Sequence, residues 1–174
     1  MEETVILALF DQGPSPKLLD VVDVGMDRFT SLGQPPLLRI GPKDEAVVTT
    51  SSHHNSNQSY RSTALIAVQE GKFKLIDRFS TFGDRACKGS DELVNSQSLS
   101  FATQASKGGR YHAIRATVIE GATVKAGACG GKEGRQRKSS RRWSTSYHWS
   151  EAEQAFIRSS DALKDLEARN EKRF

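Results

Sequence analysis

"YRSTALIAVQEGKFKLIDRFS", residues 60 to 80, decides the fold. Tyr60, Ala64, Ile66 and Val68 share one parity and Arg61, Thr63 and Gln69 the other, with Leu65 and Ala67 interrupting the polar side. A period of two is the signature of a strand, and this one is mostly buried. Glu70 and Gly71 then offer a two-residue turn in which glycine takes positive φ at no steric cost. Phe73, Leu75 and Phe79 resume on one face against Lys74 and Arg78. The stretch predicts a β-hairpin.

The same period recurs on both sides. Downstream, "YHAIRATVIEG" sets Ile114, Ala116 and Val118 inward and Arg115 and Thr117 outward, with Gly109 before it and Gly121 after. In "RWSTSYHWS", Trp143, Thr145, Tyr147 and Trp149 alternate with Ser144, Ser146 and His148, so aromatic rings cover one side of the sheet. A ring-lined face of this kind serves as a core surface before it serves as a platform for stacking sugars. Upstream, "TVILALF", "KLLDVVDVG", "PLLRI" and "EAVVTTS" are short apolar runs separated by "DQGPSP", "SLGQPP" and "GPKDE". Ser15 and Pro16 would suit a helix start, but the valines and Gly25 that follow favour a strand. Residues Cys87 to Arg110, rich in Ser, Lys, Gly and Gln, read as a long loop carrying one apolar piece, "LSFAT".

At the end of the chain the period changes. Ser150 and Glu153 are spaced as a capping box, and Ala152, Phe156, Leu163 and Leu166 follow at helical spacing. An amphipathic helix is therefore expected over 150–172, with Asp165 and Arg169 as an i,i+4 pair. The expected architecture is mainly β with this helix added (α+β): an antiparallel meander, sandwich or half-open barrel, of about seven to nine strands with the helix packed on it. With 174 residues and no composition break, residues 1–174 are read as a single domain.

Composition narrows the function classes. The longest apolar run, Val5 to Phe10, is far short of the roughly 20 residues needed to cross a bilayer as a helix. The net charge is +4, and much of the excess lies in "GGKEGRQRKSSRR", residues 130–142, expected to be a flexible basic loop. Arg135, Arg137 and Lys138 are its candidate nucleic-acid contacts through counterion release. No aromatic ring before Trp143 is placed to stack a base, so nucleic acid is the disfavoured partner.

Cys87 and Cys129 are isolated from each other and belong to no CxxC pair, which argues against a zinc knuckle. A disulfide between them would close a loop of about 43 residues, worth about 4 kcal/mol in the chain-entropy model. It would place the protein in an oxidising compartment, periplasmic or extracellular. The opening "MEETVILALF" lacks the basic region of a secretory signal, so export requires a leader outside this stretch; the alternative is a cytoplasmic protein.

The densest group of ligand-capable side chains is "SSHHNSNQSY". His53, His54, Asn55, Asn57, Gln58 and Tyr60 are the candidate ligand-binding residues. On a regular strand His53 and His54 point to opposite faces and cannot share a metal. Asn55 and Asn57 also suit a polar turn with Asx-type bonds. Asp20, Asp23 and Asp27 miss the spacing of a calcium loop, and the chain has neither a GxSxG elbow nor a phosphate loop. No metal or cofactor is expected.

The expectation is a non-catalytic exported bacterial domain of unknown role that binds a polar ligand or a partner protein, with its oligomeric state open. The alternatives are a hydrolase or metal-dependent enzyme using His53 to Tyr60, and nucleic-acid association through residues 130–142. An enzyme would need His112, His148 or a carboxylate brought into the same pocket.

Overall fold

A computed structural model describes residues 4–106 and 109–173. Ten strands and one helix follow in order: β1 (Ile6–Phe10), β2 (Leu18–Asp23), β3 (Phe29–Arg39), β4 (Glu45–His54), β5 (Gln58–Gln69), β6 (Lys72–Lys88), β7 (Asp91–Gln104), β8 (Ala113–Lys125), β9 (Gln136–Ser150), β10 (Ala155–Arg158) and α1 (Ala162–Glu171). Strands β3 to β10 form one antiparallel meander in sequence order, and β1 and β2 form a separate hairpin. The sheet does not close into a barrel. The mainly β fold with one C-terminal helix is as the periodicity predicts.

The β5–β6 hairpin turns at Glu70 and Gly71, whose φ values are +50° and +73°. Two successive positive-φ residues match the right-handed twist of the flanking strands. Leu65 pairs with Asp77 and Ile66 with Leu75, so Ile76 is an extra residue on β6. The bulge reverses the facing of everything beyond it. Phe73 therefore packs with Ala64 and Ile66, while Phe79 joins Leu65 and Ala67 in a different cluster. The sequence pattern put Phe73 and Phe79 on one face, and the single inserted residue is the reason they are not.

Strand β5 is buried on both sides. Its Leu65 and Ala67 face the main core with Ile40, Ala46, Val48, Phe79, Tyr111, Ile114, Ala116, Tyr147 and Phe156. Its Ala64 and Ile66 lie under the β1–β2 hairpin, against Val5, Leu7, Val22, Val24 and Met26. Burial on two faces explains why its apolar run is continuous rather than alternating.

Strands β6 and β7 pair only from Asp84↔Asn95 to Lys88↔Asp91, around a turn in which Gly89 has φ +63°. Past that short ladder the two strands part. The sheet thereby divides into halves, β3–β6 and β7–β10, whose inner residues meet in one core. Helix α1 lies in the parting, in contact with β6 and β9. Gln97 caps the opening: its Oε1 accepts from the backbone N–H of Phe82 and from Nδ2 of Asn170.

Three sequence readings are corrected. Cys87–Arg110 is not a long loop, because Asp91–Gln104 is a fourteen-residue strand. Its half-buried Gln97, Leu99, Phe101 and Thr103 alternate with Ser96, Ser98, Ser100 and Ala102, and the polar residues on both faces hid the period. The basic segment 130–142 is loop only at its start; from Gln136 it is strand β9, paired with β8. The helix begins at Ala162 rather than 150. Ser150 Oγ does accept from the N–H of Glu153, as in a capping box, but Gln154 takes φ +48° and the chain returns as β10.

Cys87 and Cys129 form a disulfide with a Cα–Cα distance of 5.9 Å, tying the end of β6 to the turn between β8 and β9. The N–H of Cys129 also donates to the carbonyl of Ser90, and that of Gly127 to Oδ1 of Asp91. No described helix is long and apolar enough to cross a membrane.

Candidate functional site

The turn from β4 into β5 is built by Asn55. Its Oδ1 accepts from the N–H groups of Asn57 and Gln58, and its Nδ2 donates to Oε1 of Gln58 at 3.1 Å. These bonds satisfy backbone donors where the ladder ends, as expected of an Asx turn. The carbonyl of Asn57 accepts from the N–H of Arg85, which anchors the turn to β6.

The anchored turn forms one wall of a cleft of about 400 Å³. His54 to Arg61 line it from β4 and β5, Thr81 to Arg85 from β6, and Val94 to Gln97 from β7. The cleft lies where β6 and β7 begin to part, beyond their last paired residues, Asp84 and Asn95. Of the predicted residues, His54, Asn55, Asn57, Gln58 and Tyr60 are brought together here. His53 is not. It pairs across the ladder with Tyr60, and its Nδ1 lies 3.3 Å from Oδ1 of Asp27.

Tyr60 is half-buried, with its ring 5.3 Å from that of Phe82 and its hydroxyl donating to Gln58. Burial, with the negative charge of Asp84, pushes the phenol above its usual range, so at neutral pH it stays a hydrogen-bonding hydroxyl. Asp84 accepts from Nδ2 of Asn95. Arg85 is held by Glu92 at 3.2 Å, and Lys125 by the same carboxylate at 2.8 Å. These bonds and charges keep the Glu92 carboxyl below its usual range.

Arg61 is exposed, as its place on the polar side of the strand pattern implies, but that side is the one facing the core further along the strand. It shares the inner parity of β5 with Thr63, Leu65 and Ala67. Beyond the cleft it also lines a second cavity of about 520 Å³, with Ser31, Gln34, Thr50, Ser52, Thr63 and the apolar Leu99 and Phe101 among the other walls. Among the described residues no carboxylate pairs with its guanidinium. Arg61 and the β6 and β7 walls were missed by sequence reasoning; the available signal was an arginine two residues before a buried threonine on the core-facing parity.

The remaining candidates lie elsewhere. His112 follows buried Tyr111, and its N–H donates to the carbonyl of Ile40. His148 is exposed on β9. Asp20 accepts from the N–H of Phe73 and so holds the hairpin to the sheet, while Asp23 accepts from those of Val5 and Gly25 and ties the ends of the hairpin together. Among the described residues no group of three His, Cys, Asp or Glu side chains could hold a metal ion. Arg135 precedes β9, while Arg137 and Lys138 lie exposed on it. Compared with family models, with curated proteins and with solved structures, the chain matches none.

Proposed function

We propose that this is a non-catalytic binding domain for a small polar, acidic ligand, held in the cleft between the His54–Arg61 segment and the parted strands β6 and β7. The observation that carries this reading is Arg61. An exposed guanidinium with no carboxylate partner among the described residues, set among hydroxyl and amide groups where two cavities meet, suits a carboxylate by charge and by its planar fork of donors. Asn55, Gln58 and Tyr60 would supply the orienting hydrogen bonds, and Leu99 and Phe101 an apolar wall beyond them.

The hydrolase reading is the second one: Asp84 lines the cleft with His54 and Tyr60, but Asn95 engages its carboxylate and His112 and His148 lie outside. The disulfide favours function in an oxidising compartment, periplasmic or extracellular, as the setting for this reading. Titration calorimetry with citrate and succinate as probes tests it. Binding by the wild type that weakens at least about tenfold in Arg61→Gln supports the reading; no binding, or equal binding by the variant, overturns it.

A further inference from the structure

On the far side of the parting, α1 and the exposed start of β9 bring three arginines together. Arg169 and Arg173 each donate through one terminal nitrogen to Glu120, at 2.5 and 3.0 Å. Arg141 stacks over the Trp143 ring at 4.2 Å, and Arg169 also lies over that ring, at 4.9 Å. Arg141 has no ion pair among the described residues. Three guanidinium charges against one carboxylate leave two unbalanced positive charges.

The donors are unbalanced too. Both oxygens of Glu120 are already taken, and Nε of Arg169 and Nη1 of Arg173 are buried without an acceptor. Buried donors left unmade are costly, and an arginine has no way to lose its charge. The same three arginines border a cavity of about 290 Å³ with Ser139, Ser140 and Asn95. Hydroxyl and amide donors beside convergent guanidinium groups are the chemistry that recognises a phosphate.

We infer that the Arg141, Arg169 and Arg173 cluster binds a phosphate or phosphomonoester group. It adjoins the Arg61 cleft at Asn95 but uses other arginines and does not depend on that reading. The stacking on Trp143 fixes two of the guanidinium planes before the ligand arrives, which lowers the entropic cost of binding. The further cations Arg137, Lys138 and Arg142 lie on the same exposed strand and add long-range attraction.

The test is calorimetric titration of the full chain with inorganic phosphate at low chloride, with phosphatidic-acid vesicles as a second arm. Arg141→Gln and Arg173→Gln are the variants, because Arg141→Gln leaves the Glu120 bonds intact and preserves the fold. Phosphate binding weakened at least about tenfold in both variants supports the site. Vesicle binding that free phosphate competes away also supports it and assigns the phosphate to a lipid headgroup. Absence of binding to either probe, binding unchanged in Arg141→Gln, or vesicle binding that free phosphate does not displace would overturn it.

Discussion

Gln97 on β7 and Asn170 on α1 exchange two amide hydrogen bonds, at 3.0 and 2.8 Å. The pair joins the helix to the sheet at the point where β6 leaves β7, and Gln97 also accepts from the backbone N–H of Phe82. Asn170 is buried. In Asn170→Ala the Gln97 amide loses both of its hydrogen bonds to the helix, and the protein should lose about 1–3 kcal/mol. Denaturant unfolding measures this. A double-mutant cycle with Gln97→Ala should show coupling, whereas strictly additive effects would mean that the two amides act independently.

The disulfide should be complete in unreduced protein, so thiol titration of the denatured, unreduced chain should find no free thiol. Cys87→Ala with Cys129→Ala should lower stability by up to about 4 kcal/mol, the chain-entropy value for this loop. A loss well below that would mean that the hydrogen bonds from Cys129 to Ser90 and from Gly127 to Asp91 hold the turn without the covalent link.

Two glycines, one beside that bond and one further along β8, should respond in opposite ways. Gly127 has φ +75°, and a Cβ there would run into the carbonyl of Lys132. Gly127→Ala should cost more than about 1 kcal/mol. Gly121 lies in β8, where an added Cβ would sit 3.5 Å from Oγ of Ser96, an ordinary contact. Gly121→Ala should be neutral or mildly stabilising, since glycine weakens a strand interior. Thermal unfolding of the two variants side by side checks both.

Glu120 sets part of the acid limb of stability. Burial alone would raise its pKa, but hydrogen bonds from Arg169 and Gln97 and the charges of Arg169 and Arg173 outweigh it and hold the carboxyl below the usual range. A folded pKa below the unfolded value, about 4.3, makes a contribution that is full above that value. It is lost as pH falls through the folded pKa. Unfolding measured from about pH 7 down to about pH 2 should show a shallower acid decline in Glu120→Gln than in the wild type. Equal slopes would remove Glu120 from the account.

Much of the architecture was legible because strands with one buried face print their alternation directly. Ile114, Ala116 and Val118 point inward as their spacing implies, and Thr145 and Tyr147 are the buried residues in the second half of β9. Strand β7 was illegible for a physical reason: its inner face includes Gln97, whose burial is permitted by Asn170 and Glu120, residues far away in sequence. The bulge at Ile76 likewise leaves no local mark, since it is defined by the register with β5.

At the candidate site, Asn55, Asn57 and Gln58 were legible as turn-forming and ligand-capable groups. The walls from β6 and β7 were not, because the cleft exists only where two strands separate. Arg61 is an exposed residue, as it looked; its place at the mouth of two cavities was not legible, because strand parity alone does not say which face is inside. The pairing of Arg61 with Ser52 and Thr81, beside the core residues Leu65 and Phe79, settles that question.

The most direct measurement is an amide chemical-shift map of the labelled protein during titration with citrate. The account predicts saturable shifts in residues 54–61, 81–85 and 94–97 that are largely abolished in Arg61→Gln and retained in Arg141→Gln. No shifts in this cleft while the protein remains folded, or cleft shifts unchanged in Arg61→Gln, would contradict it.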